Sequence, residues 1–406
     1  MPASGINIYD VIIAGGGPAG ASAAYYLARE GKKILILEKE KLPRYKTCGG
    51  GLTFKGLSLI PFDLSEIIER SCYSVNINDF EANISLVTKR EKPVVCMTMR
   101  SELDYRLIKA AENYGAEIKE RAEIKDLNNL ENTIELVLKN KEEKLYSKFL
   151  IAADGALSLA AKKYFGEYNR KHIPALEYEL YVEDDILSQF VNSSRFDFGI
   201  VPGGYGWVFP KRDHLSVGVL SMKLKGRNLN DYFSAYIDIL GIKKVYKSEK
   251  HGYVIPMSSR RTFAKNRILL AGDAAGFIDP ITAEGISFAI LSGQLAAESL
   301  IEGNMEPAAV SNEYNNMIAR KILPEIKAGK FLAKFIYGFR GLRVWIVKLY
   351  GKKLSELMTD VVIGNKQYSE LVKNPLNYIK LLFKWSFKNK PLKKYYDNIN
   401  NMQTNS

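Results

Sequence analysis

Three glycines and one acid near the N-terminus have the types and spacing that bind a dinucleotide. Gly15, Gly17 and Gly20 follow one apolar run, and Glu38 ends the next apolar run. In such a loop the first glycine permits a tight turn, the second lets a pyrophosphate approach bare backbone, and the third allows close helix–strand packing. The acid at the end of the second strand can accept hydrogen bonds from a ribose. The order strand, glycine loop, helix, strand and acid therefore predicts a dinucleotide site.

Two later motifs extend this site to a flavin. Asp154-Gly155 ends a buried-strand pattern, and Gly272-Asp273 precedes a helix predicted to begin near residues 283–286. Asp273 can accept hydrogen bonds from ribityl hydroxyls, and the N-terminus of the following helix would stabilise the anionic reduced isoalloxazine. We expect Asp154 to hold the geometry between strand and loop. The three motifs together predict FAD as the cofactor.

The elements that must position these motifs predict an α/β protein. Buried-strand patterns precede each cofactor motif, whereas residues 164–255 contain short strands rich in Tyr, Phe and Val, typical of an antiparallel sheet. The cofactor domain is therefore discontinuous. We assign residues 1–75, 100–165 and 256–305 to a Rossmann-like FAD-binding domain, residues 76–99 and 166–255 to an inserted antiparallel-sheet substrate-binding domain, and residues 306–406 to a basic C-terminal helical region.

A further helix is predicted to begin at residue 100. Ser101 fits an N-cap, and Asp104 fits the capping-box position three residues later. Arg100 precedes the helix, where its charge can reach the phosphates or ribityl chain of FAD, or else cap a surface helix.

The basic charge is confined to the end of the chain. The net charge is +13, and residues 320–406 hold 18 Lys and Arg against 5 Asp and Glu, so residues 1–319 are balanced at 40 against 40. This predicts a local anionic partner: the region is either an amphipathic surface on an anionic membrane or a helical cap whose cations face water. It is too charged to span a bilayer, and we expect no nucleic acid among the partners. Its aromatic residues are Phe331, Phe335, Tyr337, Phe339, Trp345, Tyr350, Tyr378, Phe383, Trp385 and Phe387.

The cysteines favour a reducing compartment. Cys48, Cys72 and Cys96 have neither metal-ligand spacing nor the even count of a disulfide framework. The first strand begins almost at the N-terminus, without the pattern of a signal peptide. We therefore expect a cytoplasmic protein, peripheral to the membrane, with no metal site.

The cofactor motifs resemble the para-hydroxybenzoate hydroxylase superfamily of FAD enzymes, over about residues 8–305. Within it the sequence is most similar to the geranylgeranyl reductase family, through three segments: residues 43–51 ending in Cys-Gly-Gly-Gly, Tyr-Gly-Trp-Val-Phe-Pro-Lys at 205–211, and residues 272–286. In related hydroxylases a histidine commonly replaces Gly276, so the absence of that histidine argues against a reaction with oxygen. The Asp-Gly motif lacks the arginine that often follows it in relatives. The resemblance implies FAD contacts at Ala19, Glu38, Cys48, Gly49, Gly51, Arg100, Ala122, Asp273, Gly285 and Ile286.

The chemistry implied by this resemblance is reduction of isolated carbon–carbon double bonds in a polyprenyl chain. Such an alkene must be held against the flavin, away from water, with a proton donor opposite. Tyr205, Trp207 and Phe209 alternate along a predicted strand and so share one face, as the wall of an apolar tunnel or as ordinary sheet core. Cys48 is either a proton donor or relay, or a small buried hydrophobe. The catalytic candidates are Cys48 and Tyr205.

We therefore expect an FAD-dependent reductase that saturates geranylgeranyl chains of a lipid, as in phospholipid biosynthesis, of a prenyl diphosphate or of a quinone. The electron donor stays open between NAD(P)H and a ferredoxin docked on the basic region. Three other classes share parts of these motifs: a flavin monooxygenase or halogenase acting on an aromatic substrate, a quinone-linked electron-transfer flavoprotein, and a prenyl-binding chaperone without activity.

Overall fold

The computed structural model describes residues 7–139, 143–166, 172–223 and 228–373. The aromatic residues predicted beyond this range, Tyr378, Phe383, Trp385 and Phe387, lie outside the described residues. Within the described chain the α/β prediction is confirmed, because a largely parallel sheet, a mostly antiparallel sheet and a C-terminal group of helices are all present.

The strands alternate with helices in the first half of the chain and follow one another closely in the middle. In chain order they are β1 (Ile8–Ala14), β2 (Ile34–Leu37), β3 (Gly51–Thr53), β4 (Ile68–Cys72), β5 (Ser74–Asp79), β6 (Ile84–Lys89), β7 (Val95–Thr98), β8 (Glu117–Lys119), β9 (Ile124–Asn129), β10 (Ile134–Leu138), β11 (Lys144–Ala152), β12 (His172–Val182), β13 (Ser194–Phe198), β14 (Gly204–Pro210), β15 (Leu215–Ser221), β16 (Val245–Pro256), β17 (Ala264–Lys265) and β18 (Ile268–Leu270).

The helices pack on both large sheets and, after residue 286, form most of the remaining described chain. They are α1 (Pro18–Arg29), α2 (Phe54–Leu57), α3 (Arg100–Glu112), α4 (Leu159–Phe165), α5 (Asp184–Leu187), α6 (Leu229–Leu240), α7 (Ile286–Glu302), α8 (Pro307–Lys321), α9 (Leu323–Gly338), α10 (Arg340–Val362) and α11 (Tyr368–Lys373). Short 3-10 turns span Ser65–Ile67 and Gly272–Ala274.

The first sheet has the order β17-β18-β11-β1-β2-β8, with β9 and β10 joined to the edge of β11. The pairs from β18 to β8 are parallel. Residues 11–14 of β1 and all of β2 are continuous apolar runs, because helices cover both faces of a parallel sheet. On one face α1 packs between α3 and α7. Parallel pairing brings the carboxyl ends of β1, β2, β11 and β18 to one edge of the sheet.

The second sheet has the order β16-β12-β15-β14-β13-β5-β6 and is antiparallel except for the pair of β13 and β5. A third, three-stranded sheet, β3-β7-β4, connects the first two. Residues 76–99 divide between these sheets, since β6 joins the second whereas β7 pairs with β3 and β4. The division of the chain into domains stays a prediction.

The C-terminal helices divide between the two large sheets, since α8 contacts β17 of the first whereas α10 contacts β5 and β6 of the second. Helix α10 contacts β6, where Thr88 and Ser355 hydroxyls lie 2.6 Å apart. Arg343 of α10 is 3.0 Å from the Asp79 carboxylate and also pairs with Glu81. Some of the C-terminal basic excess is therefore used inside the fold. Among the described residues no helix combines the length and apolar character required to span a membrane.

Candidate functional site

The cofactor motifs converge at the carboxyl edge of the parallel sheet. The glycine loop follows β1, Glu38 follows β2, Asp154-Gly155 follows β11, and Gly272-Asp273 follows β18. Ligands of open α/β sheets bind outside this edge, where loops from neighbouring strands face one another. The parallel pairing therefore brings together motifs that are far apart in sequence.

The geometry of the first loop gives a reason for glycine at each of its three motif positions. Gly15 has φ +100°, and a Cβ there would lie 2.5 Å from the Ala153 carbonyl oxygen. A Cβ on Gly20 would lie 2.0 Å from the Gly15 oxygen, so only glycine lets α1 approach β1 this closely. Gly17 differs, because its Cβ would meet only the Arg44 guanidinium at 4.0 Å. The space beside Gly17, at the N-terminus of α1, is open for a pyrophosphate.

Glu38 is turned toward this loop. Its carboxylate is buried and accepts the Gly16 backbone N–H at 3.1 Å and an Arg44 N–H at 3.2 Å. Its own carbonyl accepts the Ala122 N–H at 2.9 Å, which places Ala122 beside the same loop. Ala19 is buried in the first turn of α1. An acid at the end of β2 beside an open helix N-terminus fits the ribose and pyrophosphate of FAD.

We expect Gly17→Ala to weaken FAD binding without unfolding the protein. Gly17 has φ −79° and ψ −178°, extended backbone that alanine also adopts, and the added methyl group has room in the protein itself. The methyl group would instead occupy the pyrophosphate position, so we expect about a tenfold or larger loss of FAD affinity, measured by fluorescence titration of apoprotein. Gly341→Ala, at an open position of α10, is the matched control. Equal FAD affinity in both variants would contradict this role of Gly17.

A fully buried carboxylate holds two arginines beside the glycine loop. Asp104 of α3 accepts Arg44 Nη1 at 2.7 Å, Arg100 Nε at 2.9 Å and Arg100 Nη2 at 2.9 Å, and it is 0 % exposed. The capping-box interpretation of Ser101 and Asp104 is therefore wrong: Met99 occupies the N-cap without a side-chain cap. Asp104 faces inward between Leu103 and Leu107. Its position among apolar residues was the sequence signal for burial.

Arg100 connects this ion-pair cluster to the loop of residues 48–51. Its guanidinium is buried, and the Asp104 charge and the neighbouring Cys48 thiol raise its pKa although burial alone would lower it. Arg100 thus lies at the predicted flavin edge, held in place by Asp104. Its contact with FAD stays a proposal.

The loop of residues 48–51 packs closely against the aromatic strand β14. A Cβ on Gly49 would lie 2.8 Å from the Phe209 ring and 2.9 Å from Trp207 Nε1, and one on Gly51 would lie 3.1 Å from the Phe209 ring. Glycine at these positions brings the Cys48 backbone up to the aromatic face. The fully buried Lys211 holds the loop there by donating to the Gly49 and Thr98 carbonyls, both at 2.8 Å.

Tyr205, Trp207 and Phe209 lie on one face of β14, as their alternation predicts, with adjacent ring centroids 6.2 and 6.4 Å apart. The Tyr205 hydroxyl donates to the Thr282 carbonyl. Tyr337 of α9 donates to the preceding Ile281 carbonyl at 2.6 Å. The aromatic face is therefore fastened to the loop that leads into α7.

Asp273 and the N-terminus of α7 complete the site. Gly285 is the N-cap of α7, Ile286 is its first residue, and a Cβ on Gly285 would lie 3.6 Å from Asp273 Oδ1. The ribityl ligand predicted at Asp273 and the helix dipole predicted at residues 285 and 286 are thus adjacent. These residues fit FAD.

Sequence reasoning gave Lys46 no role, although it lay in the recognised segment. Its ammonium lies 3.0 Å from the centre of the Tyr253 ring. Burial and the Arg100 charge lower its pKa to about 8, against the attraction of Asp273. A cation among Asp273, Arg100 and Cys48 sits where the flavin is expected. Arg44, Asp104 and Lys211 were likewise missed, because their partners are distant in sequence.

The remaining titratable residues show no arrangement suited to a metal. Within residues 7–139, 143–166, 172–223 and 228–373, no group of three or more His, Cys, Asp or Glu is placed to hold an ion. The three cysteines are free, with Cys72 and Cys96 buried and Cys48 half-buried at the site. Burial raises the pKa of Cys72 to about 12.

Comparison with known proteins agrees with this geometry. Residues 8–304 match the family model described as FAD binding domain. The chain is 34% identical over 348 residues to an uncharacterized protein of Methanosarcina barkeri, covering 84% of this chain and 87% of that protein. It is 28% identical to the chloroplastic geranylgeranyl diphosphate reductase of Arabidopsis thaliana, covering 86% of this chain and 79% of that one. It is also 28% identical to digeranylgeranylglycerophospholipid reductase 2 of Methanothermobacter thermautotrophicus, covering 86% and 94%.

Solved structures share the fold. A geranylgeranyl bacteriochlorophyll reductase-like protein of Thermoplasma acidophilum superposes with a TM-score of 0.72 at 22% identity, over 98% of this chain and 100% of that one. The flavin-dependent brominase Bmp2 gives a TM-score of 0.72 at 19% identity, over 92% and 99%. The fold is thus common to reductases and halogenases, and the residues at the site must distinguish them.

Proposed function

The chain belongs to the FAD binding domain family of FAD-dependent oxidoreductases, and from this premise we propose that it reduces isolated carbon–carbon double bonds in polyprenyl chains. Its substrate would carry geranylgeranyl groups on a lipid, a diphosphate or a quinone. Relatives with 28% identity are named as reductases of geranylgeranyl diphosphate and of a digeranylgeranyl glycerophospholipid, which supports this substrate class.

One observation carries the proposal: the aromatic face of β14 packs against the Cys48 loop beside the predicted flavin edge. When bound, reduced FAD supplies a hydride. The chain must then hold an unpolarised alkene close to the cofactor, exclude water and place a proton opposite. A Cβ added to Gly49 would lie within 3 Å of Trp207 and Phe209, so these two apolar side chains adjoin the Cys48 loop. They are suited to holding the prenyl chain. Tyr205 is engaged with Thr282, so we propose it as a wall residue and Cys48 as the proton donor.

Gly276 argues against oxygen chemistry in this chain. It has φ +79°, and a Cβ there would lie 2.2 Å from the Ser258 carbonyl oxygen. A histidine, which commonly occupies this position in the related hydroxylases, would require the backbone at Ser258 to move. This supports a reductase over the second candidate, a flavin monooxygenase or halogenase acting on an aromatic substrate.

The test is anaerobic reoxidation of the flavin. The purified protein is reduced chemically, geranylgeranyl diphosphate is added, and recovery of the oxidised flavin absorbance is followed. Recovery that requires the prenyl chain supports the reductase. A reduced flavin that ignores prenyl compounds but consumes oxygen on addition of an aromatic substrate would favour the second candidate.

We also propose that the protein binds an anionic membrane through helices α9 and α10. Phe331, Phe335 and Phe339 form a row in which neighbouring ring centroids are 5.1 and 6.1 Å apart, and with Leu342 and Trp345 they are among the exposed large apolar residues. Exposed aromatic side chains beside exposed lysines suit a headgroup interface. The inner side of α9 carries Tyr337, which packs with the Tyr205 cluster. The proposed membrane surface is thus one helix away from the proposed substrate wall.

We expect Phe339→Ser with Trp345→Ser to weaken binding to anionic vesicles by about tenfold or more, because two large apolar side chains no longer enter the interface. These side chains are 58% and 52% exposed, so the fold does not depend on them. The control pair is Tyr73→Ser with Tyr246→Ser, two aromatics exposed elsewhere. Cosedimentation with vesicles measures both pairs. An equal effect of the two pairs of substitutions would contradict the assignment of α9 and α10 to the membrane interface.

The electron donor is proposed as NAD(P)H or a ferredoxin. The exposed basic residues of the C-terminal region support an acidic protein donor, and the FAD edge would also accept a nicotinamide cofactor directly. Stopped-flow reduction of the flavin by each donor in turn distinguishes them.

A further inference from the structure

Two buried carboxylates lie on the face of β12 that is turned toward the Cys48 loop. Glu177 is 1% exposed and Glu179 is 2% exposed. Since they are two residues apart on one strand, their side chains share a face with Cα atoms about 6.6 Å apart. Ser216 donates to Glu177 Oε1 at 2.6 Å, whereas Oε2 has no hydrogen-bond partner among the described residues. Among the described residues, neither carboxylate lies close enough to an Arg or Lys to form a salt bridge, which is unusual for buried acids with a purely structural role.

The outer end of this pair reaches solvent through a histidine. His214 Nε2 lies 3.2 Å from Glu179 Oε2, and His214 Nδ1 lies 2.7 Å from the Asp213 carboxylate. His214 is buried, but the Asp213 side chain is 68% exposed. Tyr45 also donates to Glu179, at 3.4 Å. Asp213, His214 and Glu179 therefore lie in a row from the surface to the interior, with His214 Nε2 and Glu179 Oε2 at ion-pair distance but outside hydrogen-bond geometry.

The inner end of the carboxylate pair, Glu177, lies beside the Cys48 loop of the candidate site. The Glu177 carboxyl lies close to the backbone N–H of Cys48, which favours its ionised form. The Cys48 Sγ accepts the Gly50 N–H at 3.4 Å, and Arg100 lies beside it. Because the nitrogen and Sγ of one cysteine are separated by only two carbons, the carboxyl and the thiol would be within reach of one bridging water.

We propose that Glu177 and Glu179, supplied from solvent through Asp213 and His214, are a proton relay that restores the Cys48 thiol after each reduction. The inference rests on the proposed function, in which Cys48 is the proton donor. The four residues are positioning and relay groups for that donor, and they come from two segments of the chain that are distant in sequence from Cys48.

Reduction of each double bond requires one hydride and one proton. Reduced FAD, when bound, would supply the hydride for one alkene carbon and be oxidised, while the Cys48 S–H bond breaks and its proton forms a C–H bond at the other carbon. Glu177 then gives a proton to the Cys48 thiolate and recovers one from Glu179. His214 passes the replacement proton inward from water at Asp213. One hydride and one proton are used per double bond, and the external electron donor reduces the cofactor again.

The charges around the relay suit proton transfer near neutral pH. Burial, and then the Glu179 charge, raise the pKa of Glu177 to about 7. Burial alone would lower the pKa of His214, but contacts with Glu179 and Asp213 raise it. The other groups facing the carboxylates are Lys211 from the turn after β14, Tyr45 from the loop after β2, and His251 and Glu249 from β16. Burial lowers the pKa of Lys211 and raises that of Tyr45.

The test uses the reactivity of Cys48 in the purified flavoprotein. Iodoacetamide alkylation of Cys48 is followed by peptide mass spectrometry from about pH 5.5 to pH 8.5, in the wild type and in Glu177→Gln. Below neutrality Glu177 is protonated, so the two proteins should react alike. Above neutrality the ionised Glu177 opposes thiolate formation, so Glu177→Gln should react about fivefold faster. Glutamine keeps the shape and the Ser216 hydrogen bond, so a purely structural role would not change the pH profile.

The matched control is Glu183→Gln, the same substitution at a carboxylate 48% exposed just beyond β12. It should follow the wild-type profile. Superimposable profiles for Glu177→Gln and the wild type would overturn the relay. His214→Gln is the second variant: in it the inflection caused by Glu177 should move to a different pH, and an unmoved inflection would overturn the coupling through His214.

The outcome is separable from that of the proposed function. If prenyl chains are not reduced but the alkylation profile changes as expected, the proton pathway stands and the substrate assignment fails. If prenyl chains are reduced and Glu177→Gln alters neither the alkylation profile nor the solvent isotope effect on turnover, the function stands and the relay fails.

Discussion

Asp273→Ala is expected to purify largely without flavin. Asp273 follows β18 in the turn at Gly272–Ala274, and its Oδ1 lies beside the N-cap of α7. Its carboxylate is the proposed acceptor for ribityl hydroxyls, and hydrogen bonds to a charged group contribute about 1.5–3 kcal/mol each. Loss of about 3 kcal/mol corresponds to roughly a hundredfold weaker binding. The ratio of flavin to protein absorbance measures the occupancy.

The control for this variant is Asp126→Ala, the same change at a carboxylate that is 48% exposed beside Lys163. It should purify with full colour. Full flavin occupancy in Asp273→Ala would contradict the assignment of Asp273 to the cofactor site. Retained thermal stability of the apoprotein in both variants would show that the effect acts on the cofactor and not on the fold.

Asp104→Ala is expected to give the largest loss of stability. Asp104 is the shared partner of Arg44 and Arg100, and it is fully buried, so its removal leaves the Arg100 guanidinium without its carboxylate and Arg44 with Glu38 alone. Breaking a buried ion pair by removing one partner costs about 3–5 kcal/mol. Urea unfolding of the apoprotein, which excludes any contribution from bound flavin, measures the change.

Glu313→Ala is the matched control, because Glu313 pairs with Arg320 on the surface at 2.9 Å. A surface pair of this kind contributes less than about 1 kcal/mol. Equal losses in the two variants would contradict the role assigned to Asp104. Asp104→Asn keeps the shape and two of the acceptor contacts, so it should fall between the wild type and Asp104→Ala.

Local spacing explains why the cofactor motifs could be predicted. Gly15, Gly17, Gly20 and Glu38 lie within one strand–helix–strand unit, so their positions follow from the backbone geometry of that unit. Asp273 before α7 is another local arrangement. These residues could be placed from sequence because few other segments need to be known.

The rest of the site depends on contacts between distant segments. Arg44 and Asp104 are 60 residues apart, and Lys211 and Gly49 are 162 residues apart. No periodicity within either segment encodes such a pairing. The same holds for Glu177 and Cys48, which come together only because β12 lies under the loop after β2. The capping-box prediction failed for a related reason, since tertiary ion pairing at Asp104 outweighed its local signal.

The C-terminal region shows a similar limit. The basic excess was visible in the composition, but the structure uses Arg343 in ion pairs with Asp79 and Glu81 and leaves Phe339 and Trp345 exposed. Charge counting alone cannot separate buried cations from those available to a partner. The proposed membrane surface is therefore defined by exposed aromatics more than by net charge.

The central claim, reduction of a prenyl chain, is tested most directly by the mass of the product. Geranylgeranyl lipids and geranylgeranyl diphosphate are incubated anaerobically with the protein and chemically reduced flavin, which bypasses the unknown electron donor, and the products are measured by mass spectrometry. The account predicts a gain of two hydrogen atoms for each double bond reduced, absent in Asp273→Ala. Unchanged prenyl compounds in the presence of bound and demonstrably reduced flavin would contradict it.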